Sequence, residues 1–190
     1  MSAFHIIIIE CLTKKTWKDI KTTLLSKTDT EVMKLVKDLY ALSEENKTFI
    51  HSRYNLGGDP LEPYKEIITE ALYPDFNWNQ PISLSTGRKA ISDYYKSTKD
   101  KLGQIELMVH YLETGNQFTL DYGDIDEPFY ASLERMFNRI LNEIEKQPNN
   151  IQMKFLDRLQ TVVISARDMG WGYYDYISEA LIDYNDRHDF

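Results

Sequence analysis

From residue 14 onward the apolar side chains recur every three or four positions, the period of a helix with one covered face. Trp17, Ile20, Leu24 and Leu25 make the first stripe, with Lys14, Lys18 and Lys21 on another face. Thr28–Asp29–Thr30–Glu31 then reads as a capping box, in which a hydroxyl meets an orphan N–H and the glutamate reaches back. Val32, Leu35, Val36, Leu39, Leu42, Phe49 and Ile50 predict one long helix with these residues inward. Gly57–Gly58 ends it, and Asp59–Pro60 starts the next as N-cap and first helical residue. That helix carries Tyr64, Ile67, Ile68, Ala71 and Leu72 and stops at Pro74. Pro74–Leu84, with two prolines, Asn77, Asn79, Phe76 and Trp78, predicts a loop.

The pattern resumes with Ser85 or Thr86 as a cap and Ala90, Ile91, Tyr94 and Tyr95 as the stripe. Ile105, Met108, Val109 and Leu112 predict another helix, with Gly115 just past its end; Phe118, Leu120 and Tyr122 then read as a short helix before Gly123. Asp126 caps an amphipathic helix through Phe129, Tyr130, Leu133, Phe137, Ile140, Leu141 and Ile144. A turn at Pro148–Asn150 leads to the stripe Phe155–Ala166, ended by Gly170, and a last helix holds Tyr173, Ile177, Leu181 and Tyr184. About eight antiparallel helices on short links, with almost no strand pattern, predict an all-α fold. It is a bundle or a stacked helical-hairpin, solenoid-like array. We expect an apolar tail over 1–13 and a single helical domain over 14–190, a length that folds without disulfide or metal.

Four consecutive isoleucines in Phe4–Ile9 are too few to cross a bilayer, and no basic residue precedes them to make a secretory signal. Among a strand, an upstream extension and a packed tail, a tail docked on the body is favoured, because such a run left exposed invites aggregation. A lone Cys11 excludes an intrachain disulfide and fits a reducing, cytoplasmic setting. The net charge of −8 falls mostly on the second half: residues 1–95 carry −1 and residues 96–190 carry −7. That argues against binding a phosphate backbone, except through the one basic stretch Lys14, Lys15, Lys18, Lys21 and Lys27.

Three stretches carry candidate chemistry. In Gly123–Asp124–Ile125–Asp126–Glu127–Pro128, three carboxylates within four residues suit a hard cation, yet the same residues suit a helix N-terminus, and the calcium-loop pattern is absent. Gly170–Trp171–Gly172–Tyr173–Tyr174–Asp175 is either a tight turn with a packed Trp or an aromatic pocket anchored by Asp175. Arg88–Lys89 sits in a first helical turn, where cations oppose the dipole; Asp93, Asp124, Asp126 or an external anion would compensate. No phosphate loop, nucleophile elbow or His-Glu-x-x-His motif is present, no metal site is expected, and no cofactor is implied. The four histidines are widely spaced, and His110, at helical spacing from Glu106 and Glu113, is placed on a solvated face. On the last helix Asp175, Glu179, Asp183 and Asp186 step by 4, 4 and 3 into an acidic ridge, suited to a basic partner.

Arg88–Lys89–Ala90–Ile91–Ser92, Tyr122–Gly123–Asp124–Ile125–Asp126–Glu127–Pro128–Phe129–Tyr130 and Gly170–Trp171–Gly172–Tyr173–Tyr174–Asp175 resemble motifs of a family of uncharacterised bacterial all-helical proteins, over about residues 16–185. The resemblance implies an all-helical fold and no established activity. The family pairs Phe-His where this chain has Tyr173–Tyr174, so no metal or acid–base role transfers to that turn. Thirteen Tyr and three Trp suit an interface. The expectation is a non-enzymatic protein–protein interaction module, binding another protein or itself, with no membrane partner. The alternative is a small-ligand or metal site, with an enzymatic role open to it, built from Arg88, Lys89, Asp124, Asp126, Glu127, Trp171, Tyr173, Tyr174 and Asp175.

Overall fold

The computed structural model describes residues 15–75 and 81–188. The isoleucine leader, Cys11, Phe76 and Trp78 lie outside the described residues. Nine helices and no strand occur among them: α1 (Trp17–Leu25), α2 (Asp29–Leu42), α3 (Glu44–Tyr54), α4 (Glu62–Leu72), α5 (Leu84–Thr98), α6 (Lys101–Tyr122), α7 (Glu127–Ile144), α8 (Asn149–Ser165) and α9 (Tyr173–His188). The protein is all-α, and none of these helices is long and apolar enough to cross a membrane. The chain divides into two compact units, Met1–Lys47 and Thr48–Phe190.

In the first unit the expected long helix is broken. Ser43 adopts an extended conformation, φ −156° and ψ 156°, and separates α2 from α3. Its hydroxyl then accepts a hydrogen bond from the Asn46 N–H at 3.2 Å, starting a new helix. Both earlier helices begin with capping boxes, Thr16 with Asp19 and Thr28 with Glu31. The stripe expected to point inward does not: Trp17, Leu35, Val36, Leu39 and Leu42 are exposed, and neither α1 nor α2 has a buried residue.

The second unit is built around α6. Its 22 residues make a rod of about 33 Å at 1.5 Å per residue. Four helices, α4, α5, α7 and α8, pack around it, and α9 closes over α7 and α8. Ile105, Leu107, Met108, Val109, Tyr111 and Leu112 are all fully buried, a near-continuous run that marks a helix covered on most of its circumference, with an open seam through Leu102, Gln117 and Leu120. This is why Gly115 does not end the helix as expected. A Cβ at Gly115 would sit 2.7 Å from Leu133 Cδ2, so the missing side chain admits α7. The helix stops at Gly123, whose φ of 89° is a left-handed conformation that glycine reaches without strain. Likewise α4 starts at Glu62 rather than Pro60; Asp59 instead accepts the Leu61 N–H at 2.9 Å in the preceding turn.

His110 is not on a solvated face. It lies half-buried beside α4, where its Nε2 shares a 2.9 Å hydrogen bond with Thr69 Oγ1. Burial is the largest influence and pushes its pKa below 6.5, against the raising effects of the Lys65 backbone and Glu113 and with a lesser lowering from Lys65 and Arg158. A lowered value means that the unfolded chain binds the proton more tightly. The stability from a neutral His110 is therefore whole above about pH 6.5 and declines as pH falls below it. Urea titrations across about pH 7 to pH 5 should show falling midpoints, with a shallower fall for His110→Gln. Equal slopes for the two proteins would refute the assignment.

Candidate functional site

The two motif stretches 123–130 and 170–175 meet, and Asp124 is the joint. Gly123 turns the chain out of α6, and Asp126 caps α7 by accepting the Phe129 N–H at 2.9 Å, so Tyr130 is carried into the first turn of a fixed helix. The Tyr130 hydroxyl donates to Asp124 Oδ1 at 2.5 Å, and the Gly170 N–H donates to the same oxygen at 3.1 Å. A side chain at Gly170 would begin 2.6 Å from Asp124 Oδ2, so only glycine allows this approach. The Tyr173 ring packs against Tyr130 with centroids 5.2 Å apart. Hydrogen bonds from Tyr130, chiefly, and from Gly170 hold the Asp124 carboxyl below the usual carboxylate range. Burial and the adjacent Asp124 push the Tyr130 phenol well above its ordinary value, so it stays a donor at any physiological pH.

Arg88 and Lys89 do not join them. Lys89 Nζ pairs with Asp93 at 2.8 Å along α5, as does Lys96, so Asp93 rather than Asp124 or Asp126 supplies that compensation. Arg88 Nη1 donates to Ser132 Oγ at 2.7 Å and lies 3.5 Å from the Tyr111 hydroxyl; those two side chains share a 3.0 Å hydrogen bond. Arg88 thus ties α5 to α6 and α7. The other nominated residues have separate surroundings. Asp126 is a helix cap, Glu127 is exposed in the first turn of α7, and Tyr174 is half-buried. Trp171 is 57% exposed at a left-handed φ of 60°, so it does not fill a groove between helices. Asp175, Glu179, Asp183 and Asp186 are all exposed along α9, and the ridge ends where Arg187 Nε donates to the Asp183 carbonyl.

Beside Asp124 opens a cavity of about 330 Å³ lined by Thr119, Gly123, Asp124, Ser165, Asp168 and Met169. Asn116, buried behind it, donates from Nδ2 to Ser165 Oγ at 2.7 Å, and Thr119 Oγ1 donates to the Asn116 carbonyl at 2.8 Å. Two carboxylates, two hydroxyls and a thioether suit a small organic cation better than an anion. No cluster of three or more potential metal-ligating side chains occurs among the described residues. Sequence reasoning missed Asn116, Thr119, Ser165 and Asp168. The available signal was polar Asn116 and Thr119 one turn apart, in helical register with apolar Leu112, with Asp168 just before the Gly-Trp-Gly turn. No family model, curated protein or solved structure matches this chain.

Proposed function

We propose that the protein is a cytoplasmic, non-enzymatic helical interaction module whose contact surface is the apolar stripe of α1 and α2. The observation that supports this reading is a pair of amphipathic helices, 9 and 14 residues long, with no buried residue in either. Helices shorter than about 12–15 residues are marginal in water unless a packed face holds them. Capping boxes add only about 1 kcal/mol each. Such helices keep their form by laying the stripe on something else. The motif residues favour the same reading, because Arg88, Asp124 and Tyr130 tie separate segments together while Lys89 and Asp126 are engaged within single helices. The three motif stretches support placing the chain with the uncharacterised bacterial helical family, which brings no activity of its own.

Leu35→Ser combined with Leu39→Ser should abolish association, whether with another protein or with itself. The thermal unfolding of the second unit should stay within about 0.5 kcal/mol of wild type, as expected for exposed positions. Affinity capture and solution mass, measured in parallel on wild-type and variant chains, check this. Identical captured proteins and identical mass for the two would overturn the reading.

A further inference from the structure

The stripe has a periodicity and a charge pattern that specify its occupant. Trp17, Ile20 and Leu24 on α1 step by 3 and 4, and Val32, Leu35, Leu39 and Leu42 on α2 step by 3, 4 and 3. This is the spacing of side chains that pack as knobs into a facing helix. The arm is also polarised. α1 (Trp17–Leu25) carries two lysines and one aspartate, or +1, whereas α2 (Asp29–Leu42) carries two lysines and three carboxylates, or −1. The two halves are equal and opposite.

We infer that the occupant is a second copy of this chain, with the arms paired antiparallel about a two-fold axis so that α1 of each copy lies on α2 of the other. Parallel pairing would set +1 upon +1 and −1 upon −1. Antiparallel pairing sets each half against its opposite, and the same patch serves both copies, as a closed two-fold dimer requires. Among the described residues α1 and α2 are not extensively packed on one another within a chain, and their stripes are exposed. An interface of standard size takes about 800 Å² from each partner. Eight large exposed apolar side chains between Trp17 and Leu42 are enough to supply that area. The inference rests on the stripe being a contact surface, and it adds the partner's identity and direction.

The test uses the full chain in sedimentation or light scattering up to about 100 µM, an affinity range that a modest interface reaches. Wild type should approach twice 22.4 kDa. Lys18→Glu with Lys21→Glu, and separately Asp29→Lys with Asp38→Lys, should each weaken self-association at least about tenfold through like charges. Mixing the two variants should restore the dimer, because only the mixed pair has opposite charges at both ends. The second set leaves the Thr28–Glu31 capping box intact, and rescue by mixing separates charge repulsion from a helix weakened by lysine at its first position. A mixture that stays monomeric, or open-ended polymers in place of a dimer, overturns the two-fold arrangement. So does a wild-type monomer at every concentration, including one that sediments with anionic vesicles. If that monomer still captures a partner that Leu35→Ser with Leu39→Ser abolishes, the contact surface stands and only the second copy falls.

Discussion

Arg158→Ala should lower the unfolding free energy by about 2–3 kcal/mol, through a clamp that joins α8 to α6. Arg158 Nη1 reaches both oxygens of Glu106 at 2.8 Å, while Nε and Nη2 reach the two oxygens of Glu113 at 2.8 and 2.6 Å. The planar fork of the guanidinium meets two carboxylates at once, which an ammonium cannot reproduce. Hydrogen bonds donated to Glu113, foremost, and to Glu106 hold the Arg158 charge more firmly than usual, against the cost of burial. Removing one partner of a buried pair costs about 3–5 kcal/mol. The side chains here keep 22–36% of their exposure, so water screens part of the loss. Replacing all three by leucine should return stability to within about 1 kcal/mol of wild type, because no orphan charge is left behind. Urea titration checks both results. An Arg158→Ala protein as stable as wild type, or a triple variant as weak as the single one, would refute the clamp.

That clamp shows where reading the sequence stops. Glu106, His110 and Glu113 are visible in it as one helical face. Nothing local says that an arginine 45 residues further on will cover that face, so solvation was the natural expectation. Elements with their own punctuation were legible. Asp126 caps α7 as expected, and the stripe through Phe137 and Ile144 is buried as expected, since a cap and a 3.6-residue period are local facts. Gly115 misled because glycine ends helices and also admits close neighbours, and only Leu133 on another helix decides which. Ser43 misled in the opposite sense: Leu42 and Phe49 keep a helical spacing of seven across the polar run of residues 43–48, and an unburied stripe exerts no tertiary pull to keep α2 and α3 in line. The candidate site divided in the same way. Residues 123–130 and 170–175 were nominated from composition, and their meeting through Asp124 depends on a 46-residue separation that periodicity does not encode.

Substitutions around Asp124 should separate a joint from a ligand site, and the expected ordering follows from which groups lose a partner. Tyr130→Phe removes a hydrogen bond to a charged acceptor and should cost about 2 kcal/mol. Tyr173→Phe should cost nothing or stabilise by up to about 1 kcal/mol, because the Tyr173 hydroxyl is buried with no hydrogen-bond partner among the described residues. Asp124→Ala leaves both Tyr130 and Gly170 without their shared acceptor and should cost about 2–3 kcal/mol. Asp124→Asn keeps an oxygen in place and should cost less than about 1 kcal/mol if acceptance, rather than charge, is what the fold needs. The sign of the pH dependence agrees: the folded carboxyl titrates below 3.8, so its contribution is whole above that value and is lost as pH falls through the folded value. Asp124→Asn should therefore remove part of the acid-induced loss while leaving neutral-pH stability nearly intact. If Asn is as damaging as Ala at neutral pH, the negative charge itself is in demand. The 330 Å³ cavity beside it, with Asp168 also in its lining, would then hold a cation that the hydrogen bonds alone do not require.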